Sequence, residues 1–166
     1  MSKGKNLRPL TELEYLALGE FRYQLRLFLR HMEEAARSMG VNPQQYQLVL
    51  AIKGLPRNAT PTISRLAERM QLNHNSMVEL VDRCEEKGLI RRARSGSDRR
   101  QVTLSVTPEG ESLLRSLGAA ARQELRDMGP SLVGSIFRLT GNSEHPAKET
   151  TTQLKPRMEG TRKAGS

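Results

Sequence analysis

Tryptophan is absent from the 166 residues, and tyrosine and phenylalanine number three each. With hydrophobic residues at 36%, the chain has little material for a core, so its helices are expected to complete their burial against a partner subunit. The single cysteine, Cys84, excludes an intrachain disulfide framework and fits a reducing compartment. No apolar run approaches membrane length and the first residues lack the apolar centre of a secretion signal, so no membrane partner is expected and the expected location is cytoplasmic. A glycine-rich nucleotide loop, a nucleophile elbow and a paired-carboxylate motif are all missing, which argues against an enzyme and implies no cofactor. His31, His74 and His145 stand far apart, none at ligand spacing from Cys84 or from one another, so no metal site is expected. Acids are the scarcer charge: 18 against 27 lysines and arginines leave a net +9, which points to a polyanion as partner.

What is present is ordered like a nucleic-acid reader. Residues 1–10 carry Lys3, Lys5 and Arg8 without an acid and read as a basic arm. From Thr11 to Gly40 a long helix repeats apolar residues at steps of three and four: Leu18, Phe21, Leu25, Phe28, Met32, Ala35 and Met39. Leu16, Tyr23 and Leu27 widen this stripe beyond one packing surface, so contact with a second subunit is expected. A second helix, 43–55, turns Tyr46, Leu48, Val49 and Ile52 inward. Thr60 or Thr62 caps a third, 63–70, and a turn at Gln71-Leu72 leads to a fourth from Asn73 to Lys87, closed by Gly88. The period then switches to two. Strand 89–94, the turn Ser95-Gly96-Ser97-Asp98 and a strand with Val102, Leu104 and Val106 inward make a hairpin. Thr107-Pro108 begins a fifth helix burying Leu114, Leu117, Ala121, Leu125 and Met128; Gly129-Pro130 is expected to break it before a short sixth, 131–139. Residues 141–166 have almost nothing to bury and are expected to be a disordered polar tail.

In the fourth helix Met77, Leu80, Val81 and Cys84 fall on one face. The other presents Asn75, Val78, Glu79 and Asp82, flanked by His74, Ser76 and Arg83. Short polar groups in a first turn suit a helix whose N-terminal end enters the major groove, where Asn meets adenine bidentately and the helix N-terminus attracts phosphate. Between residues 89 and 107 stand Arg91, Arg92, Arg94, Arg99 and Arg100 with one acid, Asp98. Arginines on a hairpin can enter a narrow minor groove. A charged hairpin can also be only a solvated edge, but that does not explain why the arginines gather just after a helix-turn-helix.

Asp98-Arg99-Arg100, followed after five residues by Val106-Thr107 and then Gly110, resembles the wing signature of the MarR family of bacterial transcription regulators. Leu66-Ala67-Glu68-Arg69, Leu80-Val81-Asp82-Arg83 and Lys87-Gly88-Leu89 are similar to that family's helix-turn-helix, and the likeness covers roughly residues 11–139. It implies a mainly α fold with a small β-hairpin wing, a winged helix-turn-helix flanked by dimerisation helices at 11–40 and 108–140 around a DNA-binding core at 42–107. It further implies a homodimer on a pseudo-palindromic operator of double-stranded DNA, usually as a repressor. DNA contacts would fall on His74, Asn75, Ser76, Val78, Glu79 and Arg83 of the recognition helix and on Arg92, Arg94, Arg99 and Arg100 of the wing. Arg100 would reach the minor groove and Asp98 would orient the wing arginines. Val106 stands where leucine is usual, and Glu79 where many relatives carry a basic or polar group; a carboxylate there repels phosphate but can accept from a cytosine amino group.

Many relatives are released from DNA by a small aromatic effector or by an oxidant. The first helix holds no cysteine, and inward-facing Cys84 reads as a core residue. Tyr23, Arg26, Phe28 and Tyr46 could line a ligand pocket, but the aromatics read more readily as core and Arg26 as surface, so no pocket is assigned. Two other classes compete with a ligand-responsive repressor. One is a constitutive architectural DNA binder with little sequence preference; the other is a winged helix that binds protein only, for which wing arginines balanced by acids would be expected.

Overall fold

The computed structural model describes residues 8–94 and 102–141. Seven elements follow one another: α1 (Glu12–Ser38), α2 (Pro43–Lys53), α3 (Ile63–Met70), α4 (His74–Glu86), β1 (Ile90–Arg94), β2 (Val102–Val106) and α5 (Pro108–Thr140). Each helix starts where a side-chain oxygen replaces a missing backbone acceptor. Thr11 and Glu14 form a reciprocal capping box on α1, Asn42 and Gln45 another on α2, and Thr62, Asn73 and Thr107 cap α3, α4 and α5.

The core lies where α2, α3 and α4 meet the hairpin and the ends of α1 and α5. Leu48, Val49, Leu66, Met77, Leu80, Val81, Cys84, Ile90, Leu104 and Leu117 are buried there, with Met32 and Ala36 from α1. β1 and β2 pair antiparallel with Ile90 opposite Val106 and Arg94 opposite Val102. Two strands alone are marginal. The segment before α3 supports them: Thr62 bridges Thr103, and Leu104 N–H donates to Pro61 O at 2.9 Å.

α1 and α5 share the most extensive contact between elements. They run antiparallel, since Glu20 meets Ser131 and His31 meets Glu124. The expected break at Gly129-Pro130 does not occur: Pro130 sits inside one continuous helix. Proline removes one backbone N–H at a cost of about 3 kcal/mol, but burial of Met128 and Ser135 on either side holds the helix in one piece. The α1 stripe also differs from expectation. Ala17, Met32 and Ala36 are its buried members, while Leu18, Leu25 and Met39 stay exposed, because α5 covers only part of so wide an arc. Leu125 of α5 is likewise exposed, whereas Leu113 is buried and Leu114, expected there, is partly buried against the core. The basic arm as far as residue 7, the hairpin turn and the tail from 142 lie outside the described residues.

The junction of wing and α5 tolerates no side chain at Gly110. A Cβ there would run into the Leu89 carbonyl oxygen and lie 2.7 Å from Val106 Cγ1. At Gly118, in the same helix, a Cβ would meet nothing within 4 Å. Gly110→Ala is therefore expected to destabilise by at least about 1–3 kcal/mol, and Gly118→Ala to be neutral or stabilising by roughly 0.4–1 kcal/mol. Urea unfolding of the two variants checks this; equal midpoints would contradict the close approach.

Candidate nucleic-acid interface

α3 and α4 are joined by Gln71, Leu72 and Asn73. Gln71 takes the left-handed conformation at φ 55°, Leu72 N–H donates to Ala67 O at 2.9 Å, and Asn73 Oδ1 accepts from Ser76 N–H at 2.8 Å. This tight turn sets the start of α4, where His74 and Asn75 are exposed and Met77 enters the core. Met77, Leu80, Val81 and Cys84 are at most 1% exposed, which fixes the rotation of α4 about its axis. His74, Asn75, Glu79 and Arg83 consequently face solvent, with Ser76 and Val78 half-buried beside them. The six expected contact residues thus share one helix, and the polar face is open along its length. Arg83 Nε donates to Glu79 O one turn back, at 3.3 Å.

Two further anchors were not legible as such in the sequence. Gln45 of α2 is buried; its Nε2 donates to Arg83 O at 3.1 Å and its Oε1 accepts from Asn42 N–H at 3.1 Å, tying α2 to the last turn of α4. Lys87 Nζ donates to Gly40 O at 2.5 Å, tying the end of α4 to the α1–α2 turn. At the base of the wing, Thr107 Oγ1 donates to Gly88 O at 2.5 Å and also accepts from Gly110 N–H at 3.1 Å, while Thr107 N–H donates to Leu89 O at 3.1 Å.

The expected wing arginines divide. Arg91 is exposed on β1, its Nε donating to Ser105 Oγ at 3.0 Å. Arg92 departs from the expected outward orientation. Its guanidinium is turned back onto α4, paired through Nη2 with Asp82 at 2.5 Å and through Nη1 with Glu85, and its backbone N–H donates to Glu85 Oε1 at 2.9 Å. The Arg92 N–H and then the guanidinium hold the Glu85 carboxyl below the usual carboxylate range. Arg94 closes β1, and Asp98, Arg99 and Arg100 lie outside the described residues.

The four residues considered for a ligand pocket do not converge. Tyr46 is in the core and Phe28 packs against it, whereas Tyr23 and Arg26 line an open groove of about 500 Å³ on the outer face of α1 with Leu27, Leu29, Arg30 and Glu33. Among the described residues no group of three His, Cys, Asp or Glu side chains is placed to hold a metal, and no helix is long and apolar enough to cross a membrane.

Residues 39–101 match the family model for the MarR family, a stretch covering α2, α3, α4 and the first wing strand. A transcriptional regulatory protein assigned to the hcr operon of Thauera aromatica is 31% identical over 135 residues, which cover 76% of this chain and 80% of that protein. The chain belongs to the MarR family of transcription regulators. The transcriptional repressor MdtR of Bacillus subtilis is 34% identical over 80 residues, 48% of this chain, and the match spans only half of MdtR. The crystal structure of Sco3205, a MarR family regulator of Streptomyces coelicolor in complex with DNA, superposes with a TM-score of 0.59 at 22% identity, covering 87% of this chain and 95% of that one. The fold is thus the mainly α MarR winged helix with its two-stranded hairpin.

Within this MarR chain Cys84 is a core residue. Its side chain is fully buried, Sγ lies 4.0 Å from Gln45 O, and burial pushes the thiol up to about 12, against the weaker opposing charges of Arg83 and Lys87. The neutral thiol is the form the fold favours, so thiolate chemistry is suppressed at every pH below that value. Native protein at pH 8 is expected to resist iodoacetamide, and urea-unfolded protein to be alkylated fully. Mass spectrometry reads the outcome; rapid labelling of the native state would contradict the burial.

Proposed function

We propose that this MarR family member is a sequence-specific repressor that binds a pseudo-palindromic operator in double-stranded DNA as a homodimer and is released by a small-molecule effector. The observation that carries this reading is the use of the α4 surface. Met77, Leu80, Val81 and Cys84 are inside, and the outer face offers Asn75, His74 and Ser76 at a helix N-terminus, where base edges and phosphates are met, with Val78 half-buried beside them. The wing stands beside it with Arg91 exposed. In this reading His74, Asn75, Ser76, Val78, Glu79 and Arg83 contact the major groove, and Arg94, Arg99 and Arg100, oriented by Asp98, serve the minor groove. Residues 42–107 form the reading core, with 11–40 and 108–140 forming the dimer. The DNA complex of Sco3205 supports the reading by analogy. Support for the dimer comes from Leu13, Leu16, Leu18 and Leu25 of α1 and Val133 and Ile136 of α5, which are all exposed on the single protomer.

Fluorescence anisotropy on the DNA upstream of the protein's own gene, against a scrambled duplex at low and moderate salt, tests this. The expected ratio of specific to non-specific affinity is about 10³ or more. Equal release of both duplexes as salt rises would favour an architectural, phosphate-dominated binder instead. Asn75→Ala is expected to flatten preference at one base position, a loss of roughly 1–3 kcal/mol; a uniform loss on all sequences would make Asn75 a phosphate contact. Arg100→Ala is expected to weaken operator binding by roughly tenfold with unchanged thermal unfolding, and full retention of binding would remove Arg100 from the interface.

A further inference from the structure

The hairpin is a two-stranded sheet, so each strand has an outer edge with nothing of the sheet beyond it. The outer edge of β2 is held by Pro61 and Thr62. Along the outer edge of β1, Arg92 meets Glu85 with its backbone N–H and Nη1 and Asp82 with Nη2. Both oxygens of Glu85 are thereby engaged by a single residue of the wing. Asp82 and Glu85 stand three apart on α4, the spacing that places two side chains on one helical face. The planar guanidinium bridges them in a way one ammonium cannot. Between α4 and β1 lie only Lys87, Gly88 and Leu89, a turn in which Gly88 has φ +68° and Leu89 N–H donates to Cys84 O at 2.9 Å. Arg92 closes that turn from the far side.

We propose that Arg92 is a positioning residue for DNA recognition. It acts as a strut from the wing to Asp82 and Glu85, so that recognition helix and hairpin meet DNA as one rigid body. The proposal rests on the DNA-binding reading above, and it takes Arg92 out of the set of wing arginines that touch DNA. The strut has a second effect. Asp82 is half exposed on the same helix as Glu79, and its charge would repel phosphate if it were unpaired. Arg92 cancels one of two carboxylate charges on that face while orienting the strand that carries the other arginines.

Glu85→Gln separates positioning from simple charge. It removes a negative charge beside the DNA site, so charge alone predicts equal or tighter binding. Loss of the strut predicts weaker binding, by about threefold to tenfold. The experiment measures wild type, Glu85→Gln, Arg92→Ala, Arg92→Lys and the Glu85→Gln/Arg92→Ala pair by anisotropy on the upstream duplex over a range of salt. Amide hydrogen exchange of β1 and β2 is followed in the free proteins. We expect Glu85→Gln to bind more weakly, to have no further effect once Arg92 is alanine, and to speed hairpin exchange; Arg92→Lys should keep the salt dependence and still bind more weakly. Equal or tighter binding by Glu85→Gln overturns the proposal. So does an Arg92→Ala variant whose salt slope falls by about one with hairpin exchange unchanged, which would make Arg92 a phosphate contact. If wild type itself fails to bind either duplex, the DNA-binding reading falls and the role in recognition with it. The exchange rates then still report whether Arg92 holds the hairpin.

Discussion

Everything that the proposed reading surface needs depends on the burial of one face of α4, and that face is four side chains long. An isolated helix of 13 residues is marginal in water, and α3 with eight is below the length that forms alone. What holds them is Met77, Leu80, Val81 and Cys84 packing into α2 and α3 together with Leu48, Val49 and Leu66. Helical periodicity makes this a constraint on function as well as on stability. Once those four positions point inward, the directions of Asn75, Glu79 and Arg83 are determined, because each lies on the remaining arc of a 3.6-residue turn. A polar substitution at Leu80 would therefore disturb the outer face through rotation of the whole helix, without touching any residue on it.

The polar anchors around α4 add what apolar packing lacks, which is direction. Gln45 grips the Arg83 carbonyl, Lys87 the Gly40 carbonyl and Thr107 the Gly88 carbonyl, so three different segments hold successive parts of α4 and the turn after it. Each of these acceptors is a backbone oxygen in a last helical turn or in a turn between elements, and the Arg83 oxygen also accepts from Lys87 N–H at 3.3 Å. Buried Gln45 has both ends of its amide engaged, as a buried polar group must if it is not to cost the fold. Thr107 links this arrangement to α5, since the same hydroxyl that holds Gly88 also caps the long helix. The reading unit and the helix that packs on α1 are joined at one rigid corner.

Most of this fold was legible in the sequence wherever a local rule decides. Thr62 and Asn73 mark helix starts by their own side-chain oxygens, the inward face of α4 follows from spacing, and α3 begins and ends at the residues expected. Legibility failed where distant contacts outweigh a local preference. Pro130 is a helix breaker by chemistry, yet the packing along α1 outweighs one lost hydrogen bond. Gln45 looks like any surface glutamine of an amphipathic helix, and only the arrival of Arg83 in space buries it. Arg92 looked like one of five equivalent wing arginines; the face that Asp82 and Glu85 share is visible in the sequence, but the turn at Gly88 that brings Arg92 over it is a matter of three dimensions.

The distribution of exposed apolar side chains divides the molecule in a way that composition alone could not. Among the described residues Leu13 is 73% and Leu16 68% exposed, and Tyr15, Leu18, Tyr23, Leu25 and Leu29 continue this along α1, with Leu125, Val133 and Ile136 on α5. Within the stretch from α2 to β2, Leu50 is the single large apolar residue so exposed among those described. The reading unit is thus finished against water, and the paired long helices are not. A surface proposed to meet a hydrated, charged duplex gains nothing from exposed leucine, whereas two antiparallel helices that leave theirs in solvent carry an unmet hydrophobic contribution of about 25 cal/mol for each Å² they could still bury. A thin core was expected from the low apolar content. Its cause is more specific: a large share of the apolar side chains is placed on the outside of α1 and α5, where burial by a second copy would stiffen the corner at Thr107 and Gly110 through which α5 holds the wing.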